Sequence, residues 1–394
     1  MTNRELFFRY MGLPSSAPLA IEMERAKGIY IYDISGKEYI DLASGVAVNN
    51  TGHGNPEVIA AVKDQVDRYM HLMVYGEYIQ APQVQLSDEL INHLPESLDS
   101  VYFVNSGSEA NEGAMKLAKR HTGRTEIFAF RNAYHGGTQG ALSILGNEKL
   151  KYAFRPLLPE TRFLEFNNFN ELNKITDKTA AIVIETIQAE AGIILPEKDF
   201  LKELRKRCDK TETLLIIDDI QMGFGRTGKL FSFENFEITP DILTLAKAMG
   251  GGMPIGAFIA SKQIMNSLTI NPKLGHITTF GGHPVSCAAA LANLKFITRG
   301  KLIEDSNRKG KLFKDSLKDN PKIIKIRQAG LMLGLDVENN SIMDKLITNF
   351  LKNGLITDRF LFRSNAFRIA PPLIITDDEI YKTIDLIVKS IGDL

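Results

Sequence analysis

Five short apolar runs punctuate the middle of the chain: VYFVN (101–105), IFAF (127–130), AAIVIE (180–185), LLIIDD (214–219) and GAFIAS (256–261). Between them the pattern becomes helical, as in EANEGAMKLAKRHTG and EKDFLKELRKRCDK, where apolar residues recur every three or four positions. Strands that are apolar on both faces, separated by amphipathic helices, predict an α/β fold with a mostly parallel sheet covered on both sides. Upstream, residues 19–43 alternate apolar and polar across the turn DISGKE, the mark of a small antiparallel meander. From about residue 295 the chain turns helix-rich and lysine-rich and ends in FRIAPPLIITDDEIYKTIDLIVKSI, a smaller α+β unit expected to pack with the meander. The expected division is 1–50 as part of a small domain, 51–294 as the large domain carrying the ligand site, and 295–394 as the C-terminal small domain.

Composition changes this picture little. Hydrophobic residues make up 44% and charged residues 24% of the 394 positions, which is ordinary globular usage. Lys+Arg and Asp+Glu both total 47, so no net field favours nucleic acid or an anionic membrane, and any anion site must be local. Cys208 and Cys287 supply neither a metal spacing nor a disulfide framework, so no metal site is expected. The start, MTNRELFFRYMG, lacks a basic segment followed by an apolar one, and no apolar run nears the ~18 residues of a membrane span. These features lead us to expect a cytoplasmic protein.

In a sheet of this kind ligands bind outside the carboxyl ends of the strands, so the polar residues after each apolar run carry the information. VYFVN is followed by Ser106, Gly107 and Ser108 at the opening of a helix. Small residues with free N–H groups at a positive helix end suit a phosphate; the alternative is a plain cap by Ser108 with Glu109 and Glu112. LLIIDD ends in Asp218 and Asp219, which point to opposite faces. A carboxylate at that depth needs a protonated nitrogen, an arginine or a metal; helix capping or a pair with Arg226 is the alternative. The stretch GFGRTGK (223–229) has the G-x-x-x-x-G-K spacing of a nucleotide-phosphate loop, but Leu230 stands where Ser or Thr should hold magnesium, and no helical pattern follows. Lys247 lies inside LTLAKAMGGGMPIG, an otherwise apolar run. A desolvated lysine has a lowered pKa and, as the free amine, forms a Schiff base with an aldehyde, although a structural lysine is the alternative. The glycines after it let backbone approach a ligand closely. A phosphate cradle, a deep carboxylate and a buried lysine together suit pyridoxal 5'-phosphate, which needs a site for its phosphate, an acid for its pyridine nitrogen and an amine for its aldehyde.

On these motifs the chain resembles the class III, or ω-amino-acid, aminotransferases of pyridoxal-phosphate fold type I, from GIYIYDISGKEYIDLASGVAVNNTGH to FRIAPPLII. That resemblance implies that Lys247 is the Schiff-base lysine and Asp218 the partner of the pyridine nitrogen. It implies that Ile220 and Tyr134 pack on the two ring faces, that Gln221 reaches the ring hydroxyl, and that Gly107 and Ser108 hold the phosphate. Thr279, in HITTFGGHP, resembles the threonine that reaches the phosphate in the neighbouring subunit, which implies a homodimer with shared sites. Arg368 resembles the arginine that grips a substrate α-carboxylate, and Glu190 the glutamate that pairs with it in turn. Glu185 opens the same ETIQAEAG motif and has either a supporting or a structural role.

The chain also departs from that pattern. Gly137 stands in HGGT where the family often has an arginine that helps to bind a second carboxylate, Asp219 replaces a usual Glu, and Gly45 and Val46 replace a bulkier aromatic. The last two leave room for an acylated or longer donor. The implied activity is transfer of a terminal amino group from an ω-amino acid or an acylated diamino acid, such as acetylornithine or ornithine, to 2-oxoglutarate. The alternatives are a 4-aminobutyrate or diamine donor, or a mutase or decarboxylase on the same fold.

Overall fold

The computed structural model describes residues 1–394. Its central sheet runs in the order Ser100–Val104, Gly256–Ala260, Ile242–Leu245, Leu214–Asp218, Thr179–Ile184, Glu126–Phe130, Thr161–Leu164. Pairing is parallel from Ile242–Leu245 out to Thr161–Leu164, and Gly256–Ala260 runs against both of its neighbours. All five apolar runs lie in this sheet. Ile242–Leu245 brings the chain to Lys247, while Thr161–Leu164 is an edge strand whose half-exposed TRFL escapes any criterion based on continuous apolar character.

Alternation along the central strands sorts side chains into two cores. Ile182, Ile184, Leu215 and Ile217 pack with Phe200 and Leu204 of the helix Phe200–Thr211. Ala181, Val183, Ile216 and Phe258 pack with Ala110, Ala114 and Leu117 of the helix Gly107–Thr122. Asp218 shares the parity of Ile216 and so faces the second helix, while Asp219 faces the other side.

The helix Gly107–Thr122 starts at Ser106, whose Oγ accepts the N–H of Glu109 at 3.2 Å. The cap is therefore Ser106 and not Ser108, because Glu109 turns back to accept the N–H of Asn105 (2.7 Å) and Glu112 accepts the Thr138 hydroxyl (2.7 Å). Both acids are engaged away from Ser108, which leaves that residue to the cavity.

The two ends of the chain meet. The meander Met23–Lys27, Tyr30–Asp33, Glu38–Asp41 is extended by Leu355–Ile356, parallel to Glu38–Asp41. A second small sheet runs Lys325–Ala329, Met332–Asp336, Arg363–Ile369, Arg359–Phe360. Ile29, Ile40 and Leu42 share one core with Leu333, Phe367 and Ile387. No helix is long and apolar enough to cross a membrane.

Arg226, in the turn after Leu214–Asp218, joins the central sheet to these smaller ones. Fully buried, it pairs with neither aspartate; it donates to the carbonyls of Leu331 (3.0 Å) and Pro371 (2.6 Å) and to Asn50 Oδ1 (2.5 Å). Truncating it strands three buried acceptors, and Arg226→Ala is expected to destabilise the protein by about 3 kcal/mol or more. Chemical denaturation checks this; an unchanged midpoint would show that the contacts are dispensable.

Candidate active site

A cavity of about 420 Å³ opens at the carboxyl ends of the central strands, where the loops after Ser100–Val104, Glu126–Phe130, Thr179–Ile184, Leu214–Asp218 and Ile242–Leu245 converge. Ser106, Gly107, Ser108, Tyr134, Asp218, Ile220, Gln221 and Lys247, all expected site residues, line it, as does Glu185. Arg368 and Glu190 lie behind Gln221. Thr279 is exposed and does not line the cavity of its own chain.

The floor is a helix N-terminus. Gly107 and Ser108 are the first residues of the helix, so their N–H groups have no carbonyl one turn earlier to bond, and the helix dipole adds positive potential. Two glycines let the walls approach. A Cβ on Gly107 would lie 2.8 Å from Ile220 Cδ1, and one on Gly136, whose φ is 131°, would lie 2.1 Å from Ser108 Oγ.

Asp218 ends its strand with a side chain only 4% exposed. Its Oδ2 accepts Asn111 Nδ2 at 2.8 Å and meets His135 Nδ1 at 2.8 Å, and its Oδ1 accepts the Ile220 N–H at 3.1 Å. Asn111 also donates to the His135 carbonyl (2.8 Å) and accepts the Thr244 hydroxyl (2.9 Å), so its amide orientation is defined by three neighbours. Neither Asn111 nor His135 is singled out by the motifs. The signal for Asn111 is a polar residue set in the apolar stripe of Ala110, Ala114 and Ala118. That for His135 is its place beside Tyr134 in NAYHGGT; its Nε2 is buried without a partner. Asp219 points the other way and accepts the Ser232 N–H at 2.9 Å.

Lys247 follows the strand Ile242–Leu245 with a left-handed φ of 47°. Burial lowers its pKa, helped by the charge of Arg368 and opposed by Glu190, Asp218 and Glu185. The residue is thus an amine held away from its solvated ammonium form.

Arg368 is 1% exposed at its side chain and bonds Glu190 Oε1 at 2.9 Å and Gln221 Oε1 at 2.5 Å. Gln221 closes the triangle by donating to Glu190 at 3.2 Å, so the amide expected at a ring hydroxyl is engaged with this pair. Burial raises the pKa of Glu190, but the Arg368 charge and hydrogen bond outweigh that and hold it below the ordinary value.

Above the cavity, Ser44, Gly45, Val46 and Ala47 all have positive φ (51°, 62°, 64° and 60°), forming one left-handed turn. Such a conformation costs roughly 1–2 kcal/mol for each residue that is not glycine. It is held by Asp41, whose Oδ1 accepts the N–H groups of Ala43 (2.9 Å) and Ser44 (2.8 Å), and by Ser44 Oγ donating to the Ala370 carbonyl at 2.6 Å. The turn delivers Val48 to the cavity wall.

The residues present fit pyridoxal phosphate. The Gly107 and Gly136 positions leave a cradle that a Cβ would fill, and Asp218, a carboxylate fixed by its hydrogen bonds, and Lys247, a buried amine, line the same cavity.

Comparison with known proteins agrees. The family model described as aminotransferase class-III matches residues 12–391. The acetylornithine aminotransferase of Archaeoglobus fulgidus is 37% identical over 370 residues, 94% of this chain and 95% of that protein. That of Methanopyrus kandleri is 38% identical over 387 residues, 98% of this chain and 97% of that one. Among solved structures, a transaminase from the marine bacterium Virgibacillus superposes with a TM-score of 0.93 at 26% identity, covering 99% of this chain and 98% of that one. The ornithine aminotransferase of Toxoplasma gondii, with PLP partially occupying its active site, gives 0.90 at 30% identity, covering 99% and 94%.

Burial pushes the Asp219 carboxyl up to about 7. The folded protein therefore holds a proton that the unfolded chain releases above about pH 4, and the stability it contributes falls as pH rises from there to about 7. At pH 8, Asp219→Asn is expected to be more stable than the parent by on the order of a few kcal/mol, with the advantage gone at pH 4. Denaturation midpoints at the two pH values test this; a variant less stable at both would contradict it.

Proposed function

The chain belongs to the class-III aminotransferases, and from that premise we propose that it moves the terminal amino group of an ω-amino acid or a diamino acid, free or acylated as in acetylornithine, to 2-oxoglutarate. The enzyme is a pyridoxal-phosphate-dependent transaminase. The observation that carries the substrate reading is the Arg368–Glu190 pair at 2.9 Å. A buried guanidinium covered by a glutamate suits a donor that presents only an amine at that point. The same guanidinium, uncovered, suits an α-keto acid, whose carboxylate it grips through two parallel hydrogen bonds.

When bound, pyridoxal phosphate supplies an aldehyde that condenses with amines and a ring that accepts electrons. The N–H groups of Gly107 and Ser108, with the Ser108 hydroxyl, hold the phosphate. Asp218, aligned by Asn111 and His135, would hold a proton on the ring nitrogen. Ile220 and Tyr134 would confine the ring from its two faces, and Gln221, bonded to Arg368 and Glu190, would reach the ring hydroxyl. Lys247 Nζ, as a free amine, would take the proton from the donor carbon that bears nitrogen and return it across that nitrogen, to the carbon that was the cofactor's aldehyde, acting as base and then acid.

Two further assignments belong to this reading. The site is completed in a homodimer, where Thr279, exposed on its own chain, reaches the partner's phosphate. Leu72, Tyr78, Ile79, Ile277 and Phe280 are exposed large apolar side chains that support such a contact. The division 1–50, 51–294 and 295–394 is supported by the core that the two chain ends share. A cytoplasmic setting suits the two buried, unpaired cysteines.

Lys247→Ala is expected to lose the visible absorbance of the lysine-bound cofactor and to lower kcat by ~10²–10⁴ or more. A variant turning over at near-normal rate would overturn the scheme. Arg368→Lys is expected to raise KM for the keto acid by roughly tenfold or more while leaving KM for the amine donor within about threefold, because lysine loses the bidentate grip. Steady-state kinetics with each substrate varied check this. Sedimentation of the parent protein as a monomer would remove the shared-site assignment.

A further inference from the structure

Glu185 follows the fully buried strand Thr179–Ile184, is 4% exposed, and lines the cavity beside Tyr134 and Asp218. Both of its oxygens are met by backbone alone: Oε1 accepts the Tyr134 N–H at 3.1 Å and Oε2 the Ala189 N–H at 2.9 Å. Three other buried carboxylates are compensated by side chains, while Asp219, on the opposite side of its strand from Asp218, has the Ser232 N–H alone. Glu190 has Arg368, Asp336 has Arg327 and Arg363, and Asp218 has Asn111 and His135. No lysine or arginine forms an ion pair with Glu185. Burial raises its pKa to about 7, since little cationic charge offsets the loss of water.

The loop that Glu185 holds adds no cation. Gly137, three residues beyond Tyr134, is exposed, and nothing lies within 4 Å of where a Cβ would start. Arg131, at the loop's other end, faces solvent and pairs with Glu165 at 2.8 Å. Lys247 is the only lysine or arginine lining the cavity, and the aldehyde chemistry claims it. Arg368 is the one guanidinium within reach for a carboxylate. Besides Lys247 the cavity offers no lysine or arginine for a second carboxylate, and its one imidazole, His135, is bonded to Asp218, but it does hold a carboxyl group that lacks an ion-paired cation. A buried carboxylate regains most from an N–H donor, and more from a charged one.

We propose that Glu185 receives a second nitrogen of the amino donor, either a free ammonium or the N–H of an acylated amine, so that the enzyme selects diamino donors over amines that carry one nitrogen. This rests on the terminal-amine reading above and narrows it. The donor's far end is recognised as a hydrogen-bond donor, not as a carboxylate.

The test uses the holoenzyme with donors of matched length: 1,5-diaminopentane, its mono-N-acetyl derivative, 5-aminopentanoate and pentylamine. Both diamino compounds are expected to exceed pentylamine and 5-aminopentanoate in kcat/KM by roughly tenfold or more, as a hydrogen bond to a buried charge implies. In Glu185→Gln the amide oxygen still accepts a neutral N–H, so the preference for 1,5-diaminopentane should fall to under about threefold while that for the acetylated compound persists in part. Glu185→Leu should abolish both. Calorimetric binding of 1,5-diaminopentane and pentylamine to the Lys247→Ala protein reads the same difference without turnover. Equal kcat/KM for pentylamine and both diamino donors in the parent enzyme would overturn the proposal while leaving terminal-amine transfer intact. Absence of transfer from every terminal amine would instead overturn the reading beneath it, and the proposal with it.

Discussion

A carboxylate buried at the end of a central strand has to be compensated, and the arrangement of this molecule follows from how Asp218 is compensated. Desolvating a charge costs several kcal/mol unless hydrogen bonds replace the lost water. Here the replacements come from three directions: Asn111 on the helix Gly107–Thr122, His135 on the loop after Glu126–Phe130, and the N–H of Ile220 in its own turn. Each partner is fixed in turn, Asn111 by Thr244 on the adjacent strand. Holding one charge thereby aligns a helix N-terminus, an aromatic loop and two strand ends around the same cavity. The helix that steadies the carboxylate is also the one whose first residues, Gly107 and Ser108, line the cavity, so one rigid element sets both.

The rest of the cavity is a balance of charges in little water. Lys247 faces three acids and one arginine, and burial outweighs the acids, so its pKa is lowered. Arg368 is paired with both Glu190 and Asp358. Glu185, which lines the same cavity, is met by backbone N–H groups alone.

One run of consecutive left-handed residues lies beside this cavity. The left-handed turn at Ser44–Ala47 persists because Asp41 and the Ala370 carbonyl hold its first residue from both sides. Ala370 lies two residues past Arg368, so the turn and the guanidinium are positioned together. Backbone held in a sparsely populated region at a ligand site marks a place where geometry is maintained at the expense of stability.

Much of this was legible in the chain itself. The apolar runs specified the central strands because burial on both faces demands unbroken apolar character, and strand parity alone put Asp218 and Asp219 on opposite sides. Lys247 was conspicuous because a lysine in an apolar run is costly without a purpose. What the chain could not reveal were relations between residues distant in sequence. Asn111 and Asp218 are 107 positions apart. The true helix cap was Ser106, because Glu109 and Glu112 found partners outside the local motif. The Gln221 amide bonds both Arg368 and Glu190, and Glu185 is met by the N–H groups of Tyr134 and Ala189. Local pattern determined which elements form and which residues are chemically odd. Only the packed structure decided which of those oddities neutralise one another, because charge compensation is settled by distance in space and not by separation along the chain.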